Sequence, residues 1–109
     1  MHEVALSTQL AQVVARAAAG RTVRQVRVEV GALRQVVPET LAYAWRFVIQ
    51  DTPLQTAHLH IIPVPLQLQC ETGHLTNVTG ELDFSCSLCD APTRIVSGEE
   101  FRVIDIDVD

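Results

Sequence analysis

Cys86 and Cys89 stand three positions apart in Cys86-Ser87-Leu88-Cys89, and Cys70 lies sixteen positions before the first of them. A Cys-x-x-Cys knuckle places two thiolates on one tetrahedral metal ion, and a third thiolate upstream extends the same site. Residues 66–97, which hold these cysteines, carry too few apolar side chains to offset their own ordering entropy, so metal binding must supply the folding energy. An odd number of cysteines suits a disulfide framework poorly and, in a reducing compartment, suits a metal site well. His74 follows Cys70 with three residues between them, and its imidazole completes a set of three sulfurs and one nitrogen. Zn(II) is the default ion, because a closed tetrahedron makes no redox demand and leaves no open catalytic position. A thioredoxin-like role needs the Cys-x-x-Cys at a helix N-terminus after a strand, and Pro92 with the strand pattern beyond it argues against that context.

The rest of the chain supplies a core of its own. From Val4 to Ala19, Leu6, Leu10, Val13 and Ala17 fall at helical spacing, and Gly20 offers a stop. Val26, Val28 and Val30 alternate with polar residues in a strand over 23–30, closed by Gly31. Pro38 suits the first turn of a second helix, with Leu41, Trp45 and Val48 as its stripe and an end near Gln50. Residues 57–64 are extended, but Pro63 and Pro65 cannot donate to a ladder, so that strand ends or lies at an edge. Leu66, Leu68 and Cys70 share parity in a short strand. In the closing strand Ile104, Ile106 and Val108 share one side, and Asp105, Asp107 and Asp109 form a solvated acidic face. These elements predict an α+β fold: a small domain of two helices and a mixed three-stranded sheet from residues 1–65 plus 98–109, with an inserted zinc-ribbon-like module at 66–97.

Charge narrows the function. Eight basic residues, all arginine, face thirteen acidic ones for a net charge of -5, and the acids concentrate beyond residue 70. That balance disfavours a general nucleic-acid binder. No apolar run approaches the ~20 residues of a membrane-spanning helix, which predicts a soluble, cytoplasmic protein with no membrane partner.

Met1-His2-Glu3 offers a second metal chemistry. The α-amino group, the His2 backbone nitrogen and the His2 imidazole can close fused chelate rings, and such a planar nitrogen-rich set favours Ni(II) or Cu(II) over zinc. Together with VEVGALRQVVPE, HLHIIPVP, the cysteine module and a terminal GEEFRVIDIDV, this triplet resembles the hydrogenase maturation nickel metallochaperone family (HypA/HybF), over essentially the whole chain. The resemblance implies a non-enzymatic nickel-binding domain with Met1, His2 and Glu3 at the nickel site and His2 as key ligand, and a structural Zn(II) module. It also implies delivery of nickel toward [NiFe]-hydrogenase, with a nickel-handling GTPase accessory protein and the hydrogenase large subunit as partners and a homodimer allowed for. Two positions depart from the family pattern. Gly73 stands where a second Cys-x-x-Cys would have its cysteine, which makes His74 the natural substitute, and Val37 stands where an acidic residue often precedes the proline of the second helix.

The sequence also admits two other functions. A zinc-ribbon protein-interaction or nucleic-acid adaptor would need no nickel, and a small metal-dependent hydrolase would need an open zinc position and a base. His58 and His60 on one strand face read as exposed structural residues, and Tyr43 and Trp45 as core or interface. The three terminal aspartates lack the glycine of a calcium loop.

Overall fold

The computed structural model describes residues 2–109, with side chains from Glu3 onward. The elements are α1 (His2–Ala18), β1 (Val23–Gly31), a 3-10 turn (Ala32–Arg34), α2 (Pro38–Ile49), β2 (His58–Val64), β3 (Leu66–Cys70), β4 (Leu75–Val78), β5 (Thr93–Ser97) and β6 (Phe101–Val108). The strands form two three-stranded sheets, ordered β2-β1-β6 and β4-β3-β5. The chain divides into two compact units, one of residues 1–29, 36–62 and 101–109 and one of residues 30–35 and 63–100.

In the first unit β1 is the central strand; Val26, Val28 and Val30 are buried on the face that the period-two pattern selects, and Val23 is buried at the start of the strand on the other parity. α2 carries the chain from β1 to β2, the crossover that a parallel pair requires. β6 runs the other way: Arg24 pairs with Asp109, Arg27 with Asp107 and Asp105, and Glu29 with Arg102, so rising numbers meet falling ones and the sheet is mixed. α2 starts at Pro38, where the missing N–H costs nothing, and buries Leu41, Ala44, Trp45 and Ile49. The Trp45 indole donates to the Ala57 carbonyl at 3.0 Å, which satisfies the one polar atom of the largest buried side chain. β2 tolerates Pro63 because it is an edge strand.

Two details of the sequence reading shift. The buried stripe of α1 is Ser7, Leu10, Val14 and Ala18, while Val13 is 49% exposed. Both stripes satisfy three-and-four spacing in a helix rich in alanine and valine, and packing against α2 and β6 selects between them. In β6, Phe101, Val103, Ile106 and Val108 are half-buried while Ile104 and Asp105 both face outward, so the inward parity slips by one residue. The aspartates stay exposed, as the alternation implies, and the arginines of β1 form ion pairs with all three of their carboxylates.

The second unit is built on β3, whose Leu66, Leu68 and Cys70 point inward. It pairs antiparallel with β4 and with β5, and Cys70 stands opposite Thr93. β4 is an element that sequence patterning passes over: Leu75-Thr76-Asn77-Val78 is four residues long and two of its side chains stay exposed. The unit closes on a tight backbone contact, with the Gly31 N–H donating to the Glu100 carbonyl at 2.6 Å and the Leu33 N–H to the Gly98 carbonyl at 2.8 Å. A Cβ on Gly31 would stand 2.1 Å from the Gly98 oxygen, so only glycine fits there.

Candidate metal centre

Three backbone devices deliver four side chains to one point. Cys70 ends β3 as a buried inward residue. The chain then reverses over Glu71, Thr72 and Gly73, with the Gly73 N–H on the Cys70 carbonyl and the Cys70 N–H on the His74 carbonyl, both at 3.0 Å. Gly73 has φ 95, so the hairpin is of the three-residue kind with a left-handed glycine before the strand resumes. The knuckle brings Cys86 and Cys89 from the far side, where the Leu88 N–H donates to the Cys86 sulfur at 3.4 Å and the Ser87 N–H to the Thr76 hydroxyl at 3.4 Å.

The Sγ atoms of Cys70, Cys86 and Cys89 and an imidazole nitrogen of His74 all lie within 4.8 Å of one another. The separations match a coordination tetrahedron. Zinc bonds of about 2.3 Å to sulfur and about 2.0–2.1 Å to nitrogen put sulfur–sulfur edges at about 3.8 Å and sulfur–nitrogen edges at about 3.6 Å. Cys89 Sγ stands 3.8 Å from Cys70 Sγ, and His74 Nδ1 stands 3.4, 3.8 and 3.7 Å from Cys70, Cys86 and Cys89. The cysteines form no disulfide. The donor set fits a structural zinc ion, with His74 presenting Nδ1.

Contacts within the cluster favour the charged form of Cys70, Cys86 and His74 and disfavour that of Cys89. The Cys70 thiol is pushed down to about 6, first by the Thr72 hydroxyl, then by the His74 N–H and further hydrogen bonds that outweigh desolvation. His74 is raised, first by its contact with Cys86 and then by the Cys70 charge, and Cys86 is lowered chiefly by the Leu88 N–H. Cys89 moves up: the Ala91 N–H lowers it, but the neighbouring Cys86 and Cys70 sulfurs and burial outweigh that bond. Backbone N–H donors on thiolates are the outer-shell support that a charged sulfur site needs.

The other candidate site is reached only in part. Met1 and the His2 side chain lie outside the described residues, so the structure speaks only of Glu3, half-buried in the first turn of α1. Val37 is the residue just before α2, 51% exposed and without a side-chain hydrogen bond to the helix. His58 and His60 are exposed on edge strand β2, and Tyr43 is 66% exposed on α2. Thr72 is a residue that sequence reasoning missed: its hydroxyl touches the Cys70 sulfur and His74 Nδ1, and the only signal was a hydroxyl inside the Cys70–His74 loop.

Comparison with known proteins agrees with this architecture. Residues 1–108 match the family model described as hydrogenase/urease nickel incorporation, metallochaperone, hypA. The chain belongs to the HypA family. Hydrogenase maturation factor HypA of Geobacter metallireducens is 35% identical over 111 residues, an alignment covering 100% of both chains. The protein of that name from Desulfosudis oleivorans is 35% identical over 114 residues, covering 99% of this chain and 98% of the relative. The solution structure of the Ni metallochaperone HypA from Helicobacter pylori superposes with a TM-score of 0.70 at 18% identity, covering 99% of this chain and 97% of that one, which supports the fold. The HypA family is one of metallochaperones and maturation factors, not of enzymes. Among the described residues no helix is long and apolar enough to cross a membrane.

Proposed function

We propose that the chain takes Ni(II) as cargo at Met1, His2 and Glu3, keeps Zn(II) as a structural ion on Cys70, His74, Cys86 and Cys89, and passes nickel on during maturation of [NiFe]-hydrogenase. The observation that carries this reading is the match of residues 1–108 to a nickel-incorporation family. The tetrahedral spacing of the cysteine–histidine cluster supports the zinc part of it. With a free amino terminus at Met1, the α-amino nitrogen, the His2 backbone nitrogen and the His2 imidazole offer Ni(II) a planar chelate. The partners are a nickel-handling GTPase accessory protein and the hydrogenase large subunit, in the cytoplasm, with a homodimer as one assembly the chain can adopt. An acidic surface toward such partners sets association rate and salt dependence more than affinity.

Calorimetric titration of zinc-loaded protein with Ni(II) tests the reading. One nickel per chain is expected, lost in His2→Ala and in protein extended ahead of Met1. Undiminished nickel stoichiometry in His2→Ala would remove the assignment. Salt-sensitive retention on DNA at physiological ionic strength would favour the zinc-ribbon adaptor instead.

A further inference from the structure

Thr72 Oγ1 lies 3.0 Å from Cys70 Sγ, 3.3 Å from His74 Nδ1 and 3.8 Å from Cys89 Sγ. It therefore caps one face of the donor tetrahedron from outside, at the crest of the loop that joins two of the donors. When Nδ1 gives its lone pair to a metal ion it carries no proton and has nothing left to accept with, which leaves a sulfur as the nearest acceptor in the cluster for the hydroxyl proton. Cys70 Sγ is the nearer sulfur, and it already receives the His74 backbone N–H at 3.3 Å. We propose that Thr72 is a positioning residue of the zinc centre, whose hydroxyl donates to the Cys70 thiolate and withdraws charge from it while zinc is bound. A thiolate that is a hydrogen-bond acceptor is a poorer nucleophile, and a ligand whose orientation is fixed by an outer-shell donor holds its metal more firmly. Thr72 thus does for Cys70 what the Leu88 N–H does for Cys86 at 3.4 Å, with a side chain in place of backbone. Gly73, directly after it, supplies the positive φ that lets the loop carry Thr72 over the cluster.

The inference rests on the proposed zinc reading, and the experiment separates the two. Zinc-loaded wild type, Thr72→Val and Thr72→Ser are mixed with excess chelator, and zinc transfer is followed alongside alkylation of each cysteine by iodoacetamide, located by mass spectrometry. Val keeps the branched shape with its methyl group but has no donor, whereas Ser keeps the donor. Thr72→Val is expected to surrender zinc at least about 10-fold faster, the lower end of outer-shell effects, with faster modification at Cys70 in particular. Thr72→Ser is expected to stay near wild type. Equal rates in Thr72→Val and wild type would overturn the proposal, as would a Ser variant as fast as Val, which would assign the effect to the methyl group. If Val unfolds the module, Thr72→Ala takes its place, with water reaching the sulfur and an intermediate rate expected; a wild-type rate there would overturn it too. Wild-type protein that holds no zinc at all would instead remove the zinc reading on which the proposal stands.

Discussion

Cys70 and His74 face each other across the three-residue loop between β3 and β4, tied by the Cys70 N–H on the His74 carbonyl at 3.0 Å, with Sγ of one 3.4 Å from Nδ1 of the other. That geometry bears on a departure seen in the sequence. Gly73, where the resemblance described above implies a second cysteine, is the left-handed residue of the turn, at φ 95. A side chain there has open space around its Cβ, so what excludes it is backbone conformation rather than contact. With residue 73 committed to the turn, the next residue carries the donor, and an imidazole is long enough to reach back to the cluster.

Replacing Gly73 by alanine should therefore cost stability without removing a donor. Holding an L-residue in the left-handed region costs roughly 1–2 kcal/mol. Denaturant unfolding of the zinc-loaded protein is expected to show that loss, and Gly73→Cys is expected to show it too. An X-ray absorption spectrum of Gly73→Cys should still fit three sulfurs and one nitrogen. A four-sulfur fit would mean that the loop rearranges freely and that His74 holds its place only by default.

His74→Ala should release zinc or leave a water in place of the imidazole. Structural zinc supplies on the order of 10 kcal/mol of folding free energy, and residues 66–97 have little apolar burial to stand in for it. The unit with Leu41, Trp45 and the β1 valines has its own buried core and should persist. A heteronuclear NMR spectrum should then lose dispersion for the zinc module and keep it for the helices. Unchanged zinc content would point to Glu71, Asp90 or another chain as the fourth donor.

Acid should remove zinc at a milder pH than from a four-thiolate site, because a neutral imidazole in place of a thiolate leaves the donor set one unit less negative and adds a proton-sensitive ligand. Ligands bind metal deprotonated, so protons compete with zinc at every donor, and a charged thiolate repays that competition with a stronger bond to the ion than a neutral imidazole makes. In the metal-free cluster His74 is raised above its ordinary value of 6.5, chiefly by Cys86, and Cys89 is raised from 9.0, whereas Cys70 is lowered to about 6 from 9.0. The metal-free protein carries the same shifts with opposite signs in stability. The contribution of Cys70 is full above its unfolded pKa near 9.0 and disappears as pH falls through about 6. That of His74 is full below 6.5 and disappears as pH rises through its raised value. In equilibrium dialysis against a pH series, wild type is expected to lose zinc at milder acidity than His74→Cys. Coincident release curves would show that the imidazole is not the proton-sensitive ligand.

How much of this was legible beforehand follows from the range of the forces involved. The valines of β1 and the alternating Leu66, Leu68 and Cys70 declare their faces locally, because strand parity is a two-residue rule, and the structure buries them accordingly. The cluster of Cys70, His74, Cys86 and Cys89 was legible because spacing alone limits which donors share an ion. The buried face of α1 was not, since Leu6–Ala17 and Ser7–Ala18 satisfy one helical period equally and tertiary packing decides between them. The slip at Ile104 and the pairing of Arg27 with Asp105 and Asp107 join residues about eighty positions apart and leave no local trace. Thr72 failed to register for a further reason: a threonine in a turn is ordinary, and its role follows from where the loop crest ends up.

Val37 offers a prediction in the opposite direction, a gain. It occupies the N-cap position of α2 with extended backbone, φ -80 and ψ 119, the conformation in which a side-chain oxygen can reach the first free N–H groups of a helix. Valine has no such oxygen and makes no side-chain cap, and at 51% exposure its own burial contributes little. Val37→Asp should therefore stabilise the protein by about 0.5–2 kcal/mol, part of it from the carboxylate beside the positive end of the helix dipole. Glu39 already lies in that first turn, which adds a like charge and pulls the gain toward the lower figure. Val37→Asn supplies the cap without the charge, so comparing the two by thermal unfolding at low and high salt divides the effect. Equal gains that salt does not touch would assign all of it to the hydrogen bond. A loss in both would mean that the contacts of Val37 outweigh a cap, and that the residue before Pro38 is not free to take a polar side chain.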